Sequence, residues 1–582
     1  MFTKNMTKPC RRLAFITLGL TLVAGANAGE LTGRMELTLD RVLHGGPPLY
    51  TDDFVLADAV PEHVRRFTEF SGDVSGRYLG ALATVAQFSD KKFPELDRVA
   101  AKIVKLQKAD GHFGDPFSTN EVAKSDMATM WGNGRLLIGL LEYYRLNPSP
   151  EIIACARRLG DCFVILGPRF NDPAIVDKFS GDQVAVGYIC WTQIIEGLVE
   201  LNRITHDEKY LVLAGQIAAN THRYPKEHSH GFVCALRGIL ELYRVTHDDR
   251  WLKKVETEWD GIIASGNLLP QGALPEVFKP LIKRDEGCAE ADWLRFNLGL
   301  WAETRNPRYL DNAELTVFNE FFFNQFSTGD YGHHVLSADG IAPMGVRAWW
   351  CCTFHGLRAF PDIFRAAFRA EPARLSYDLP VDGQGVAAGL TIQADSTLAQ
   401  DAGVTLTVTK ADAAEHILSI RQPAWASALE LRLNRRSFTG VAQAGTVEVR
   451  RRWQKGDKLI VRYVMRTRLL PNSSVAGRVA ILHGPWLLGV NEQNSPEFFD
   501  EPMEKNRVFL PAVAANGDLL LKTDAAAPAK NIPFTAPAAH LALSYLPGGY
   551  PVQPQTATLR PIAEHTAIAD GTPWVWWFQP NK

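Results

Sequence analysis

The chain has 582 residues, which exceeds the size of one ordinary hydrophobic core and indicates at least two domains. With 46% hydrophobic and 22% charged residues, its composition is that of a well-packed soluble protein. Lysine and arginine (62) nearly balance aspartate and glutamate (64), and no basic run occurs, which argues against a nucleic-acid partner.

The N-terminal segment 1–28 has the pattern of an export signal. A positive head precedes an apolar run, 13–25, that is shorter than the roughly 20 residues needed to span a bilayer. The small residues of Ala26-Asn27-Ala28 then form a cleavage site before Gly29. We expect an exported protein, periplasmic or extracellular, that keeps no membrane anchor after cleavage; an uncleaved anchor is the alternative.

Between about Val60 and Arg369, apolar residues recur at helical spacing, and an internal repeat runs through this half. The segment GLVELNRITHDEKYL at 197–211 matches GILELYRVTHDDRWL at 238–252, with related segments at 139–152 and 297–310. Each unit predicts a helix, a short polar turn and a second helix. Because unequal spacing suits loops of varied length at one mouth of a ring, we predict an (α/α)6 barrel rather than a regular solenoid.

From about Leu375 onward, the pattern changes to short strands with apolar residues at roughly every second position. Six such strands are predicted, at 389–398, 404–410, 416–422, 429–434, 447–453 and 458–465. This alternation is typical of antiparallel β-sandwiches. The predicted class is therefore multidomain α+β, with a catalytic barrel at 29–372, a β-sandwich at 373–522 and a C-terminal β segment at 523–582 that packs on the preceding domains.

Without Cys10, which lies in the signal, seven cysteines remain, an odd number that cannot all pair within the chain. Four of them occur in apolar, helix-like contexts, which predicts buried packing residues: Cys155, Cys162, Cys190 and Cys234. The other three, Cys288, Cys351 and Cys352, stand near acidic or aromatic residues. Their surroundings indicate metal binding rather than disulfides.

The strongest candidate for chemistry joins two separate segments. Glu286-Gly287-Cys288 places a carboxylate and a thiol two residues apart, and Cys351-Cys352 follows far downstream. Adjacent cysteines seldom form a disulfide with each other, because the small ring strains the peptide between them. Thiols and a carboxylate from two such segments predict a Zn²⁺ site. On these residues alone, a purely structural zinc site remains an alternative to a catalytic one.

Longer motifs around these residues resemble the β-L-arabinofuranosidase family, glycoside hydrolase family 127 and its close relatives. The similar segments are EGCAEADWLRFNLGLWAETRNPRYLDNAE at 286–314, DYGHHV at 330–335 and AWWCCTFHGLRAF at 348–360. The similarity continues downstream in IRQPAW at 420–425, RWQKGD at 452–457 and VAILHGPWLLGV at 479–490. It covers most of the mature chain.

The resemblance implies a retaining glycoside hydrolase that releases L-arabinofuranose or a related sugar from plant or microbial glycans. Glu286, Cys288, Cys351 and Cys352 would bind zinc, and Cys351 would also attack the anomeric carbon. Metal coordination would keep this thiol in its nucleophilic thiolate form. Sulfur would then replace one of the two carboxylates of the usual retaining pair.

The general acid/base of the family lies in a Glu-x-Phe motif before the zinc segment, which Glu276-Val277-Phe278 matches with a shorter interval. We expect apolar neighbours such as Val277 and Phe278 to raise the pKa of the Glu276 carboxyl. Glu290 and Asp292 are the alternatives, although both are expected to face the exterior of their helix.

Five residues are candidates for binding the sugar: His230, His112, Trp131, Tyr188 and Trp350. The resemblance points to His230, and Trp131 and Tyr188 replace family positions that tend to be histidine, which leaves the substrate open. Trp349 and Trp350 are either core residues or a stacking floor. Three more histidines, His333, His334 and His355, are expected to support the zinc ligands, and two in repeat turns, His206 and His247, to face solvent.

Two other functions compete with the hydrolase. A non-catalytic carbohydrate-binding protein would use the zinc site for structure only. A helical-barrel polysaccharide lyase would need a basic cleft rich in tyrosine and arginine, which the segments around Cys351 do not contain. The sequence leaves open which sugar is bound and whether the protein is a monomer or a dimer.

Overall fold

The computed structural model describes residues 29–60, 62–63, 65–89, 91–181, 185–278, 284–337, 340–443, 445–472, 478–491, 507–509, 534–540, 554–564 and 573–577. The predicted export signal, 1–28, lies outside the described residues. The helices are α1 Glu30–Leu43, α2 Asp52–Leu56, α3 Asp73–Ser89, α4 Pro94–Leu106, α5 Lys124–Leu146, α6 Pro150–Phe170, α7 Pro173–Phe179, α8 Ile189–Thr192, α9 Ile194–Thr205, α10 Glu208–Asn220, α11 Ser229–Thr246, α12 Asp249–Ala264, α13 Gly287–Thr304, α14 Pro307–Thr316, α15 Cys352–Ala367 and α16 Leu398–Asp401.

Six helices form a closed inner ring. In order around the ring they are α3, α5, α9, α11, α13 and α15, and α15 packs back onto α3. Nearly every residue of α3 and of the first part of α13 is buried, as expected for helices enclosed on all sides. The longer outer helices instead bury one stripe, which in α12 consists of Trp251, Val255, Trp259 and Ile262. The predicted (α/α)6 barrel is confirmed.

The repeat seen in the sequence is the turn between an inner helix and the outer helix that follows it. His206, His247 and Arg305 end three inner helices with positive φ angles of 58°, 53° and 56°. The next polar side chain, Asp207 or Asp248, then accepts a hydrogen bond from the first turn of the outer helix. Both repeat-turn histidines are exposed, as predicted.

Charged residues at equivalent positions of the repeats also bind one another around the ring. Arg145 donates to Glu200 at 2.7 Å, Arg203 contacts Glu241 at 2.9 Å, and Arg244 donates to Glu303 at 2.7 Å. Within α9 and α11, Arg203 and Arg244 also contact Glu200 and Glu241. The four repeats are therefore joined by one continuous chain of ion pairs, which fixes the spacing of neighbouring inner helices.

The strands are β1 Gly332–Leu336, β2 Gly340–Arg347, β3 Phe368–Glu371, β4 Arg374–Tyr377, β5 Gly383–Ala387, β6 Leu390–Thr397, β7 Gly403–Ala411, β8 Glu415–Arg421, β9 Ala426–Leu433, β10 Arg436–Phe438, β11 Val441–Gln443, β12 Thr446–Arg452, β13 Lys458–Met465, β14 Thr467–Pro471, β15 Val479–His483, β16 Trp486–Asn491, β17 Arg507–Phe509, β18 Phe534–His540, β19 Pro554–Pro561 and β20 Trp574–Val575. The six predicted strands correspond to β6, β7, β8, β9, β12 and β13. Burial alternates along β13, which explains why its alternating sequence pattern predicted a strand.

Two sheets make up the β-sandwich after the barrel. One has the order β10-β9-β13-β7-β6-β5 and the other β11-β12-β8-β4-β3, and every pairing is antiparallel except that of β4 with β8. A third sheet joins β1 and β2, which precede α15, to strands from the C-terminal part of the chain through β20 and β16. Among the described residues, no helix combines the length and the apolar character that crossing a membrane requires.

Candidate active site

Two neighbouring inner helices bring the predicted metal ligands together. Glu286 immediately precedes α13, and Cys288 lies in its first turn. Cys351 immediately precedes α15, and Cys352 is its first residue. Because α13 and α15 pack side by side in the ring, the four side chains meet where the two helices begin. Anionic groups are favoured there, since helix N-termini carry partial positive charge.

The four ligand atoms form one compact group, with all pairwise distances within 4.8 Å. Cys352 Sγ lies 3.5 Å from Cys288 Sγ and 3.6 Å from Cys351 Sγ. Three thiolates around a tetrahedral zinc, each at about 2.3 Å, would be about 3.8 Å apart. All four residues are buried, and Cys351 is the most accessible at 8% exposure. The donor types and spacing therefore fit a zinc ion.

The surroundings of Cys351 favour its thiolate form. Burial raises the pKa of this thiol, but hydrogen bonds from the thiols of Cys288 and Cys352 and the charge of Arg77 lower it well below its ordinary value. Arg77 is buried on α3 and donates through Nε to Asp73 at 2.7 Å. Arg77 is not among the predicted site residues, because an arginine in an apolar helix carries no motif that marks it.

The carboxylate of Glu286 is fixed by His228. His228 Nε2 lies 3.0 Å from Glu286 Oε2. Burial raises the pKa of Glu286, but the charge and hydrogen bond of His228 outweigh this effect and lower it to about 2. Of the His228-Ser229-His230 segment only His230 is a predicted site residue, yet His228 is the one that contacts Glu286.

Glu276, the predicted acid/base, lies beside the cluster. Its carboxylate oxygen is within 4.8 Å of ligand atoms of both His228 and Glu286. An extended backbone segment positions it: Glu276 N donates to Arg284 O at 3.2 Å, and Ser229 N donates to Glu276 O at 2.9 Å. The shorter interval to Glu286 therefore does not prevent Glu276 from reaching the site.

The expectation that apolar side chains surround the Glu276 carboxyl group is wrong. Phe278 is buried in contact with Phe232, with ring centroids 5.9 Å apart, and Glu276 instead forms a bidentate ion pair with the Arg284 side chain. Successive residues of an extended segment point to opposite sides, so the polar and apolar neighbours separate. Arg284 is about half exposed, so it holds the carboxylate from the solvent side.

Asp292 connects the histidines that surround Cys288. Its carboxylate lies 2.8 Å from His230 Nδ1 and 3.1 Å from His355 Nδ1, and it accepts a hydrogen bond from Cys234 at 2.9 Å. Ligand atoms of His230, Cys288 and His355 in turn lie within 4.8 Å of one another. Burial lowers the pKa of His230 to about 4, so this ring is neutral.

The expectation that Glu290 and Asp292 face the exterior of α13 is also wrong, since both are fully buried. Because α13 is enclosed on all sides, its sequence period does not distinguish an inner from an outer face. The three histidines expected to support the zinc ligands lie near the cluster, and that role stays a prediction. His333 donates to Asp285 O at 2.9 Å with Nε2 4.0 Å from Cys352 Sγ, and His334 lies 3.0 Å from Asp285 Oδ2.

The other predicted sugar-binding residues divide into two pairs. The Trp131 ring lies 5.7 Å from both His228 and His230, which places it at the cluster. Trp350 follows Trp349 directly before Cys351 and packs on Phe67 at 4.8 Å. Both could form a wall against a sugar face.

Tyr188 and His112 make other contacts. Tyr188 donates to Asn171 Oδ1 at 3.1 Å, and His112 Nδ1 lies 2.5 Å from Asp110 Oδ1. No hydrogen bond or ring contact within the described part of the chain joins either residue to the cysteine cluster. Their roles in sugar binding stay predictions.

Comparison with known families adds two matches. Residues 35–363 match the family model described as β-L-arabinofuranosidase, GH127 catalytic domain, and residues 380–465 match the GH127 middle domain. Together these two segments span most of the chain, including all four candidate metal ligands. No curated protein sequence matches the chain.

Solved structures show the same fold at low sequence identity. A GH127 β-L-arabinofuranosidase from Geobacillus stearothermophilus T6 is 17% identical, with a TM-score of 0.70 and coverage of 95% of this chain and 99% of that chain. A second structure, a GH127 β-arabinofuranosidase, is 16% identical with a TM-score of 0.69, covering 94% of each chain. At these identities the structural likeness establishes the fold.

Proposed function

The chain belongs to the β-L-arabinofuranosidase family, glycoside hydrolase family 127, and from this premise we propose that it is an exported, zinc-dependent, retaining hydrolase of L-arabinofuranosides or related glycans. One observation carries the proposal: Glu286, Cys288, Cys351 and Cys352 converge within 4.8 Å, and Glu276 lies beside them. Double displacement at a sugar carbon requires a nucleophile and an acid/base at one site, and these residues supply both.

The metal proposal rests on the donor set. Three thiols and one carboxylate, gathered from two helix N-termini, would hold Zn²⁺. When bound, zinc would keep the thiols deprotonated and withdraw charge from sulfur, which improves sulfur as a leaving group.

In the first step, Cys351 Sγ attacks the anomeric carbon and forms a C–S bond while the glycosidic C–O bond breaks. Glu276 gives its proton to the departing oxygen. In the second step, Glu276 takes a proton from water, whose oxygen attacks the same carbon, and the C–S bond breaks with its electron pair returning to sulfur. Two displacements at one carbon give net retention.

Neighbouring residues hold these groups in place. His228 fixes Glu286, and the positive charge of Arg77 favours the negative sulfur of Cys351 before attack and after release. Trp131 and His230 form the adjoining wall, and we assign them to the sugar. Asp292 binds His230 Nδ1, and the other ring nitrogen, Nε2, lies 3.1 Å from Arg135 Nη2, so both nitrogens hold the ring in place.

Removing the metal is expected to abolish activity and to lower the melting temperature, because a ligand that binds only the folded state stabilises it. Chelation followed by calorimetry and turnover assays tests this, and Zn²⁺ is expected to restore both properties. Cys352→Ser is expected to lower the zinc content to a small fraction of one ion per chain. Full activity of metal-free protein would contradict the proposal.

The export proposal rests on the sequence pattern of residues 1–28 and has a structural consequence at the predicted cleavage site. A side chain on Gly29 would overlap Asp382, since an added Cβ would lie only 2.5 Å from its Oδ1 atom. The same carboxylate accepts hydrogen bonds from Leu31 N at 3.1 Å and Thr32 N at 3.2 Å, capping α1. Cleavage before Gly29 would place the new α-amino group near this buried carboxylate.

We therefore expect the mature protein to begin at Gly29 and to occur in the periplasm or medium. N-terminal sequencing and intact mass of fractionated protein measure this. Ala28→Tyr places a bulky side chain at the cleavage site and is therefore expected to leave the signal attached. The matched control is Ala24→Tyr, which lies in the apolar run. A mature chain that retains residues 1–28 would overturn the export proposal.

A further inference from the structure

A second group of buried polar residues lies next to the cysteine cluster and takes no part in the steps above. We call it the acidic cluster, and its members are Asp285, Glu290, Glu320, His334 and Gln271. Each is at most 1% exposed. Asp285 precedes the ligand Glu286, and Glu290 N donates to Glu286 O at 3.2 Å, so both clusters share the start of α13.

The members converge from different elements. Ligand atoms of Asp285, Glu320 and His334 lie within 4.8 Å of one another. His334 holds Asp285 from β1, through its backbone N at 2.5 Å and its Nδ1 at 3.0 Å. Glu320 lies in the π-helical turn Val317–Phe321, and such turns recur at functional sites.

Several polar atoms of this cluster have no hydrogen-bond partner within the described residues. They are both carboxylate oxygens of Glu320, Oε2 of Glu290, Nε2 of His334 and both atoms of the Gln271 amide. Gln271 is fully buried, and its amide lies beside the Glu320 carboxyl group, which also approaches the carboxyl groups of Asp285 and Glu290. Buried polar atoms are almost always paired, so this concentration indicates a missing ligand.

The donor types of the region, carboxyl groups with one imidazole, identify the kind of ligand. Three carboxyl groups face one imidazole here, and the adjoining cysteine cluster adds three thiols and a further carboxylate. One divalent ion among the thiolates leaves that centre negative. A second cation would offset the remaining charge and would coordinate the oxygens that lack donors.

We propose that the acidic cluster is a second metal site, for a divalent cation that accepts oxygen and imidazole ligands, such as Mn²⁺. The ligands are the carboxylates of Asp285, Glu290 and Glu320, His334 and the carbonyl oxygen of Gln271. Oxygen-rich sets with one imidazole suit harder ions than the thiolate site does, so the two sites differ in preference. The bound ion holds the segment that presents Glu286 and Cys288.

The test uses the full mature chain, stripped of metal, loaded with one equivalent of Zn²⁺ and then dialysed against Mn²⁺. Elemental analysis is expected to find about one manganese and one zinc per chain, and anomalous scattering is expected to place manganese at the acidic cluster. Glu320→Gln is expected to lose manganese and keep zinc. Cys352→Ser is expected to do the reverse, so failure of this proposal is distinguishable from failure of the zinc site.

A milder variant and a control complete the design. Gln271→Ala removes a neutral ligand and is expected to weaken Mn²⁺ binding about 10- to 100-fold. Glu314→Gln changes another buried carboxylate, bonded to Arg421 and Trp425, and is expected to retain both ions. Wild-type protein that binds no manganese, because its carboxyl groups share protons instead, would overturn the second site.

Discussion

Cys351→Ser is expected to reduce kcat by about three orders of magnitude or more while the protein stays folded. A serine hydroxyl is a much weaker nucleophile than a thiolate, and its environment here is arranged to stabilise negative sulfur. The side chain keeps its shape, so the helix start at α15 is retained. Turnover of an aryl β-L-arabinofuranoside and circular dichroism measure the two properties.

A control variant and an adduct measurement accompany this test, and the adduct distinguishes a nucleophile from a metal ligand. Cys155→Ala removes a buried cysteine on α6, far from the cluster in sequence and outside the candidate metal-ligand groups found among the described residues, and is expected to leave kcat nearly unchanged. In Glu276→Gln, a substrate with a good leaving group is expected to leave a sugar adduct on Cys351 that mass spectrometry detects. Unchanged turnover by Cys351→Ser would exclude the cysteine nucleophile and favour a purely structural zinc site.

Glu276→Gln is expected to lower kcat by about 10²- to 10⁴-fold, since the amide can neither give a proton to the departing oxygen nor take one from water. The loss in the first step is expected to be larger for alkyl than for nitrophenyl leaving groups, which need little protonation. A series of leaving groups, analysed by kcat/KM, measures this dependence.

Two comparisons make the result specific to Glu276. Glu121→Gln alters an exposed glutamate that contacts Lys178 and is expected to have no effect. Azide replaces the water of the second step without needing a base and is expected to restore turnover of Glu276→Gln on activated substrates. If all leaving groups were cleaved at the wild-type rate, the acid/base would be another carboxyl group.

The helical repeat and the strands could be predicted from the sequence because each depends on residues close together in the chain. The helix α9, Ile194–Thr205, and its equivalents are each followed by a left-handed residue and then a polar cap, so the repeat turn is encoded within a few residues. The half-buried strand β13 alternates with period two for the same local reason. Family motifs around Glu286 and Cys351 added the chemistry.

Other features depended on which face of an enclosed helix points inward. Asp292 and Glu290 were assigned to the exterior of α13, yet both are buried, because that helix has no exterior in its first part. Arg77 and His228 were missed for a related reason. Each acts through a partner that is distant in sequence, Cys351 in one case and Glu286 in the other.

The sequence by itself determined the kinds of ligand atom and the order of barrel and sandwich, because residue types and periodicity are local properties, and its resemblance to a known family implied the nucleophile candidate. Only the tertiary structure decided that α13 and α15 are neighbours, so that Cys288 and Cys352 lie 3.5 Å apart. It also decided that Glu276 is held by Arg284 rather than by apolar side chains. Closure of the helical ring brings distant segments together, and local sequence carries no record of those distances.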